Sequence, residues 1–239
     1  MIYINHNIKA IFIHIPKTGG TYIGPTLVKY YGFISYLPLI QKRRPDHDIF
    51  CRTNLFLINS KTGNPTYDNS FFNKMWGILL YCKTSNYLNE KMNMNEAKWK
   101  EYKKFCFIRN PYSRALSGWK HVNTILNLNT EFYGYISKNK FSVTDIEYGH
   151  VFMTQKQQIM NLDSNCGVDL IGKFENLEED FRYILKEIGF DKIIHIPKKE
   201  NVSNECGADI IVLERKTIQL LNELFKDDFE LFHYKKINA

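Results

Sequence analysis

The stretch that most constrains this chain lies near its start. Residues 8–22 read Ile-Lys-Ala-Ile-Phe-Ile-His-Ile-Pro-Lys-Thr-Gly-Gly-Thr-Tyr. The run Ile8 to His14 is β-rich, and a helix-compatible stretch follows from about Thr21 to Tyr31, so the pattern predicts strand, loop, helix. A strand end that feeds a Gly-Gly turn into a helix points several backbone N–H groups at one spot. The helix dipole adds a potential that favours an anion there. Lys17 supplies a mobile positive charge, Thr18 and Thr21 supply hydroxyls, and Gly19 and Gly20 let the backbone approach oxyanions without an intervening Cβ. The order of residues is not that of a Walker A loop, whose Lys follows the second Gly and directly precedes Ser or Thr; here Lys17 precedes the Gly pair. The alternative is a chance Gly-Gly turn beside an exposed Lys, and the strand–loop–helix setting weighs against it.

Further along, apolar runs and turn residues alternate. Phe33 to Asp48 reads as loop, with Pro38 and Pro45 and a basic knot at Lys42-Arg43-Arg44. Ile49 to Ile58 reads as a second strand, Asn59 to Ser70 as the clearest loop, and Phe71 to Cys82 as helix. Asn86 to Tyr102 is polar and reads as helical or irregular. Lys104 to Arg109 is a buried-looking strand. Asn110 and Pro111 then stand where an N-cap and a first helical residue belong, so a helix is expected through about Leu126. Broken helices are expected over 127–152. Val168 to Phe174 reads as strand, Leu177 to Ile188 as helix, Ile193 to Ile196 as a short strand ended by Pro197, and Leu213 to Leu231 as helix. This alternation predicts an α/β fold with a mostly parallel central sheet flanked by helices. At 239 residues the chain is expected to form one domain, 1–239.

Thirty-two basic against 25 acidic residues give a net charge of +7, which favours anionic partners such as nucleotides or acidic glycans. A generally solvated basic surface accounts for the charge equally well. Asn5, His6, Asn7 and Lys9 interrupt the first ten residues, so no export signal is read there. No stretch approaches the roughly 18 apolar residues of a membrane span. The expectation is a soluble, cytoplasmic protein. The five cysteines, Cys51, Cys82, Cys106, Cys166 and Cys206, show no metal-finger spacing, and a reduced compartment is the simpler reading, with one disulfide left open.

A second anion anchor is written into Phe105-Cys106-Phe107-Ile108-Arg109-Asn110-Pro111-Tyr112-Ser113-Arg114-Ala115-Leu116-Ser117-Gly118-Trp119. Arg109 closes a strand and Ser117 lies eight residues on, in the second turn of the following helix, so both can face one strand-to-helix corner. An Arg fork with a hydroxyl suits a phosphate monoester. Taken alone, such a segment is as readily structural.

IFIHIPKTGGT resembles the 5′-phosphosulfate-binding loop of the sulfotransferase superfamily, most closely the branch with heparan sulfate 2-O- and other carbohydrate sulfotransferases. The resemblance implies a P-loop-like sulfotransferase fold and a donor, 3′-phosphoadenosine-5′-phosphosulfate (PAPS). It implies that Lys17, Thr18, Gly19, Gly20, Thr21 and Tyr22 cradle the 5′-phosphosulfate, while Arg109 and Ser117 hold the 3′-phosphate. Thr154-Gln155, the segment 168–181 and the segment 228–234 also resemble the family, and 33–100 departs from it most. The family often returns a C-terminal loop over the donor, which makes Lys198, Lys199 and Ser203 candidates for phosphate contact; an exposed loop fits them as well.

Sulfuryl transfer needs in-line geometry, a base for the acceptor proton and a cation for the leaving oxygen. Lys17 is the natural cation. The family tends to place its catalytic His between the two phosphate motifs, which among seven His singles out His47, flanked by Asp46 and Asp48. A surface turn histidine is the alternative there, and His121 is the other candidate base. His14 reads as structural. No metal is expected, since no ligand cluster is visible. The expected partner is a hydroxyl-bearing acceptor, in the first place a glycan, with no nucleic acid. A nucleoside-triphosphate kinase and a non-catalytic nucleotide or sulfated-glycan module remain the competing readings, and protein tyrosine, lipid and small-molecule acceptors stay open.

Overall fold

Aromatic and aliphatic residues alternate along the strands, and that alternation decides how the sheet is covered. The computed structural model describes residues 2–36, 93–94, 96–126, 129–137, 154–159, 166–197 and 213–239. Five strands form one sheet: β1 (Ile2–Asn5), β2 (Ala10–Ile13), β3 (Ile34–Tyr36), β4 (Lys103–Ile108) and β5 (Leu170–Lys173), in the order β3-β1-β2-β4-β5. Strands β2, β4 and β5 run parallel, with Phe12 opposite Phe105 and Phe107 opposite Gly172. Strand β1 runs antiparallel to both its neighbours. The sheet is therefore mixed, and its parallel half is the half whose strand ends carry the candidate site.

Because successive side chains of a strand face opposite sides, Tyr3, Phe12, Phe105 and Phe107 line one face. Helices α1 (Gly20–Tyr31) and α6 (Leu177–Glu187) cover it with Ile23, Leu27, Tyr31, Phe181, Ile184 and Leu185. The opposite face presents Ile2, Ile4, Ile11, Ile13, Cys106 and Ile108, covered by Trp99, Tyr102, Ile159 and Phe232. Trp99 belongs to α2 (Glu96–Glu101) and Ile159 to α5 (Gln155–Ile159). A third cluster packs α3 (Pro111–Leu126) and α4 (Phe132–Ser137) against α7 (Arg215–Leu224) and α8 (Lys226–Leu231), through Tyr112, Leu116, Tyr135, Leu221, Phe225 and Phe229. Helix α3 begins where Asn110-Pro111 predicts, with the Asn110 Oδ1 accepting the Tyr112 N–H at 3.0 Å.

Several sequence expectations need correction. The first strand is shorter than Ile8 to His14, and a hairpin partner, β1, precedes it across the turn at 6–9; Asn5 Oδ1 accepts the N–H groups of Asn7 and Ile8 there. The segment from Phe33 reads as loop but opens with β3. Ile193 to Ile196 is not a strand. Its Ile193 and Ile196 pack on the aromatic face, and the His195 N–H donates to Tyr31 Oη rather than to a ladder. The helix expected over Leu213 to Leu231 is two helices that break at Phe225. The strand at 49–58 and the helix at 71–82 lie outside the described residues.

Candidate active site

The carboxyl ends of β2, β4 and β5 are where the chain brings its cations together, as expected of ligands in parallel α/β sheets. After β2 the backbone turns sharply: Lys17 has φ 69° and Gly19 φ 93°. Positive φ suits Gly but strains Lys, and such strain collects at functional sites. Thr18 is buried and donates its Oγ1–H to the Ile15 carbonyl at 2.8 Å, closing the loop on itself. Its hydroxyl therefore serves the loop rather than facing outward. Gly19 caps α1, its carbonyl accepting the N–H groups of Tyr22 and Ile23 at 2.9 and 3.0 Å. The N–H groups of a first helical turn have no acceptor within the helix; here they belong to Gly20 and Thr21, beside Lys17. Both glycines are required by space. A Cβ on Gly19 would lie 2.8 Å from the Phe174 ring, and one on Gly20 would lie 1.9 Å from His14 Nε2. His14 thus packs under the helix start. Thr21 is exposed and Tyr22 half-buried, packing on the aromatic face.

After β4, Arg109 is buried and held on every side. Its Nε donates to Ser113 Oγ at 3.0 Å, its Nη1 reaches the Lys17 carbonyl at 3.4 Å, and its guanidinium lies 4.5 Å from the centre of the Phe174 ring. Phe174, which follows β5, therefore touches both the Gly19 turn and Arg109. Glu175 next to it accepts the Asn110 N–H at 2.7 Å and the Tyr234 hydroxyl at 2.8 Å, tying the β4 and β5 ends together.

Burial and the neighbouring Arg109 lower the Lys17 pKa from its ordinary 10.5 to about 8. An ammonium held this way gains from any anion that arrives.

The structure thus joins Lys17 and Arg109 directly, brings Gly19 to Arg109 through the Phe174 ring, and places Thr18, Gly20, Thr21 and Tyr22 in the same loop and helix start. Ser117 lies one helical turn beyond Ser113 and is half-buried. Ser113, absent from the sequence expectations, is the hydroxyl that accepts the Arg109 Nε–H; its place in the first turn of the helix that follows Arg109 is the signal that points to it. His121 is exposed on α3. His47, Lys198, Lys199 and Ser203 lie outside the described residues. Among the described residues, no three His, Cys, Asp or Glu side chains gather as a metal site would require. No helix among those residues is long and apolar enough to cross a membrane.

Against known proteins, the model of the sulfotransferase family matches residues 1–235. The chain belongs to the sulfotransferase family. Carbohydrate sulfotransferase 11 of Rattus norvegicus is 28% identical over 174 residues, covering 58% of this chain and 49% of that protein. Carbohydrate sulfotransferase 10 of Homo sapiens is 24% identical over 176 residues, covering 59% and 49%. The chain spans about half the length of these curated relatives. A sulfotransferase crystal structure from Alicyclobacillus acidocaldarius aligns with a TM-score of 0.33 at 16% identity, over 56% of this chain and 58% of that one.

Proposed function

We propose that this chain transfers a sulfuryl group from PAPS to a hydroxyl, with a carbohydrate as the first class of acceptor. The observation that carries the reading is the joining of Lys17 and Arg109 at the ends of two adjacent parallel strands, with Arg109 Nη1 3.4 Å from the Lys17 carbonyl. That bond is to the Lys17 backbone, and the Arg109 charge also acts on the Lys17 ammonium, lowering its pKa; an anion bound there would offset that repulsion, and a nucleotide with phosphates at both its 3′ and 5′ positions could supply it. The residues fit such a donor: a cradle that a Cβ would fill, a lysine of lowered pKa, and an arginine already oriented by a hydroxyl and a ring. The names of the carbohydrate sulfotransferases to which the chain is similar support the acceptor class.

The donor brings the activated sulfuryl group; the protein's part is orientation and charge. In this reading Gly19, Gly20, Thr21 and Tyr22 hold the 5′-phosphosulfate through backbone N–H groups, with Thr18 fixing the loop. Lys17 donates a hydrogen bond to the bridging oxygen as it gains charge. Arg109, with Ser113 and Ser117 on the same helix, holds the 3′-phosphate, and Lys199 closes over the donor. His47 takes the acceptor proton, in its neutral form.

Thermal-shift titration in the presence of a chelator tests the donor assignment. The desulfated product PAP should stabilise the chain more than AMP or ATP, and equal stabilisation by ATP would overturn it. A screen of glycan and small-molecule acceptors with radiolabelled PAPS tests the acceptor. General-base catalysis contributes about 10²- to 10⁴-fold. His47→Ala should therefore bind PAP normally and turn over at least about a hundredfold more slowly, whereas His121→Ala should keep most activity. The opposite result would move the base to the helix after Arg109.

A further inference from the structure

Behind the two cations lies a buried polar network that no part of the catalytic reading uses. Arg114, on α3, is 1% exposed, and its Nε donates to the Pro16 carbonyl at 3.1 Å, immediately before Lys17. Asp228, on α8, is 0% exposed. Its Oδ2 accepts the Gln155 N–H at 2.8 Å and the Gln155 Nε2–H at 3.3 Å, and its Oδ1 accepts the Lys156 N–H at 2.8 Å. Gln155 in turn forms a two-bond ring with the Arg109 backbone: the Arg109 N–H donates to Gln155 Oε1 at 2.7 Å, and Gln155 Nε2 donates to the Arg109 carbonyl at 2.8 Å. Burial lowers the Arg114 pKa to about 10 and raises that of Asp228, and the opposite charge of each partly offsets the shift of the other.

Two buried opposite charges are rarely retained for stability alone, because desolvation offsets much of any attraction. What these two do is geometric. One end fixes the main chain at Pro16, the other fixes the main chain at Arg109, and the two anion anchors lie beyond those points. We propose that Arg114, Asp228 and Gln155 are positioning residues that set the register of the Lys17 loop against Arg109, so that the C-terminal helix α8 governs the spacing of the two anion sites. Reading the anchors as the two phosphate sites of PAPS rests on the proposed function; the coupling itself does not.

The test uses the double variant Arg114→Met/Asp228→Asn. It removes both buried charges together at nearly constant volume, an exchange that cores tolerate far better than loss of one partner. The side-chain amide that replaces the Asp228 carboxylate keeps an acceptor for one of the two backbone N–H groups at the start of α5 and turns its NH2 toward the other, while the donor to Pro16 is gone. Two readouts are taken. In the ligand-free chain, amide resonances of Lys17, Thr18, Gly19 and Arg109 are compared with wild type. PAP affinity is then measured by calorimetry. We expect the four amides to shift and the PAP Kd to rise at least about tenfold. A second variant, Phe132→Leu, perturbs the neighbouring core without touching the network and should leave both readouts unchanged. Unmoved loop amides in the double variant, or equal shifts in Phe132→Leu, would overturn the positioning role whatever the ligand proves to be. Shifted amides in a chain whose wild type fails to bind PAP would support the positioning role and sink the donor reading instead.

Discussion

The two halves of the proposed anion site are built in opposite ways. The loop after β2 is mostly backbone: a positive-φ Lys17, a positive-φ Gly19, and one internal hydroxyl bond from Thr18. The corner after β4 is mostly side chain: Arg109 is clamped by Ser113, Phe174 and the Gln155 ring, with Asp228 buried behind. Backbone N–H groups suit an anion whose charge moves during reaction, since several donors share the load without side-chain reorganisation. A rigid arginine fork suits an anion that must only stay in place. On the proposed function, the difference gives chemistry to the first half and grip to the second.

The assignment breaks most visibly in a pair of truncations. Lys17→Ala should lower the single-turnover rate by about 10²- to 10³-fold, the range for losing one group that stabilises developing charge. Its PAP affinity should change little by comparison. Arg109→Ala should do the reverse and weaken PAP binding by about ten- to a hundredfold, as expected for a charged hydrogen bond worth about 1.5–3 kcal/mol. Equal losses of rate and binding in both variants would erase the division between the halves.

Next in size is Gly19→Ala, aimed at the place where the halves touch. A Cβ there meets the Phe174 ring at 2.8 Å, and φ 93° lies where an L-residue is strained by about 1–2 kcal/mol. Phe174 also carries the Arg109 guanidinium. The substitution should thus lower the melting temperature and weaken PAP binding about tenfold, although it leaves every charge in place. Ser113→Ala should be milder. It removes one neutral acceptor from Arg109 and should weaken binding about fivefold, near the usual worth of one hydrogen bond of about 1 kcal/mol. A larger loss in Ser113→Ala than in Gly19→Ala, read by calorimetry, would place the grip in the hydroxyl rather than in the packing.

The same contrast explains what the sequence can reveal. The loop is contiguous: Lys17 to Thr21 sit side by side, and a strand running into a Gly pair and then a helix leaves few alternatives. Arg109 and the Asn110-Pro111 helix start are equally local. The supporting network is not. Arg114 meets Pro16 across 98 positions and Asp228 meets Gln155 across 73, so no spacing rule connects them. Their one signal in the sequence is that Gln155 and Asp228 fall in segments resembling the family. Strands β1 and β3 escape for a different reason. They are four and three residues long, too short for an alternation to be read, and they exist because each pairs with a neighbour rather than by their own pattern. The stretch 193–196 misleads in the converse way: its apolar residues satisfy the core without joining the sheet.

The smallest effect concerns the stability cost of holding Lys17 between burial and Arg109. Its pKa is lowered to about 8 in the folded chain, against 10.5 for an unperturbed lysine. Below pH 8 both folded and unfolded chains carry the proton, and the folded chain bears the full cost of the confined charge. Between about 8 and 10.5 the unfolded chain binds more protons than the folded one, so stability rises with pH and the cost is relieved. Lys17→Met, which keeps the stem and removes the charge, should therefore raise the melting temperature of the ligand-free chain by a few degrees at pH 7, in line with about 2–4 °C per kcal/mol at this size. The gain should shrink from pH 8 upward and vanish near 10.5. Bound PAP should reverse the ranking at pH 7, because the anion favours the charged ammonium, and wild-type affinity should fall as pH climbs above 8. Thermal melts of both proteins from pH 7 to 10.5, with and without PAP, check all of these signs at once. A Lys17→Met chain that is no more stable than wild type at pH 7 would mean that the charge is not confined. The backbone half of the site would then carry no electrostatic cost of its own.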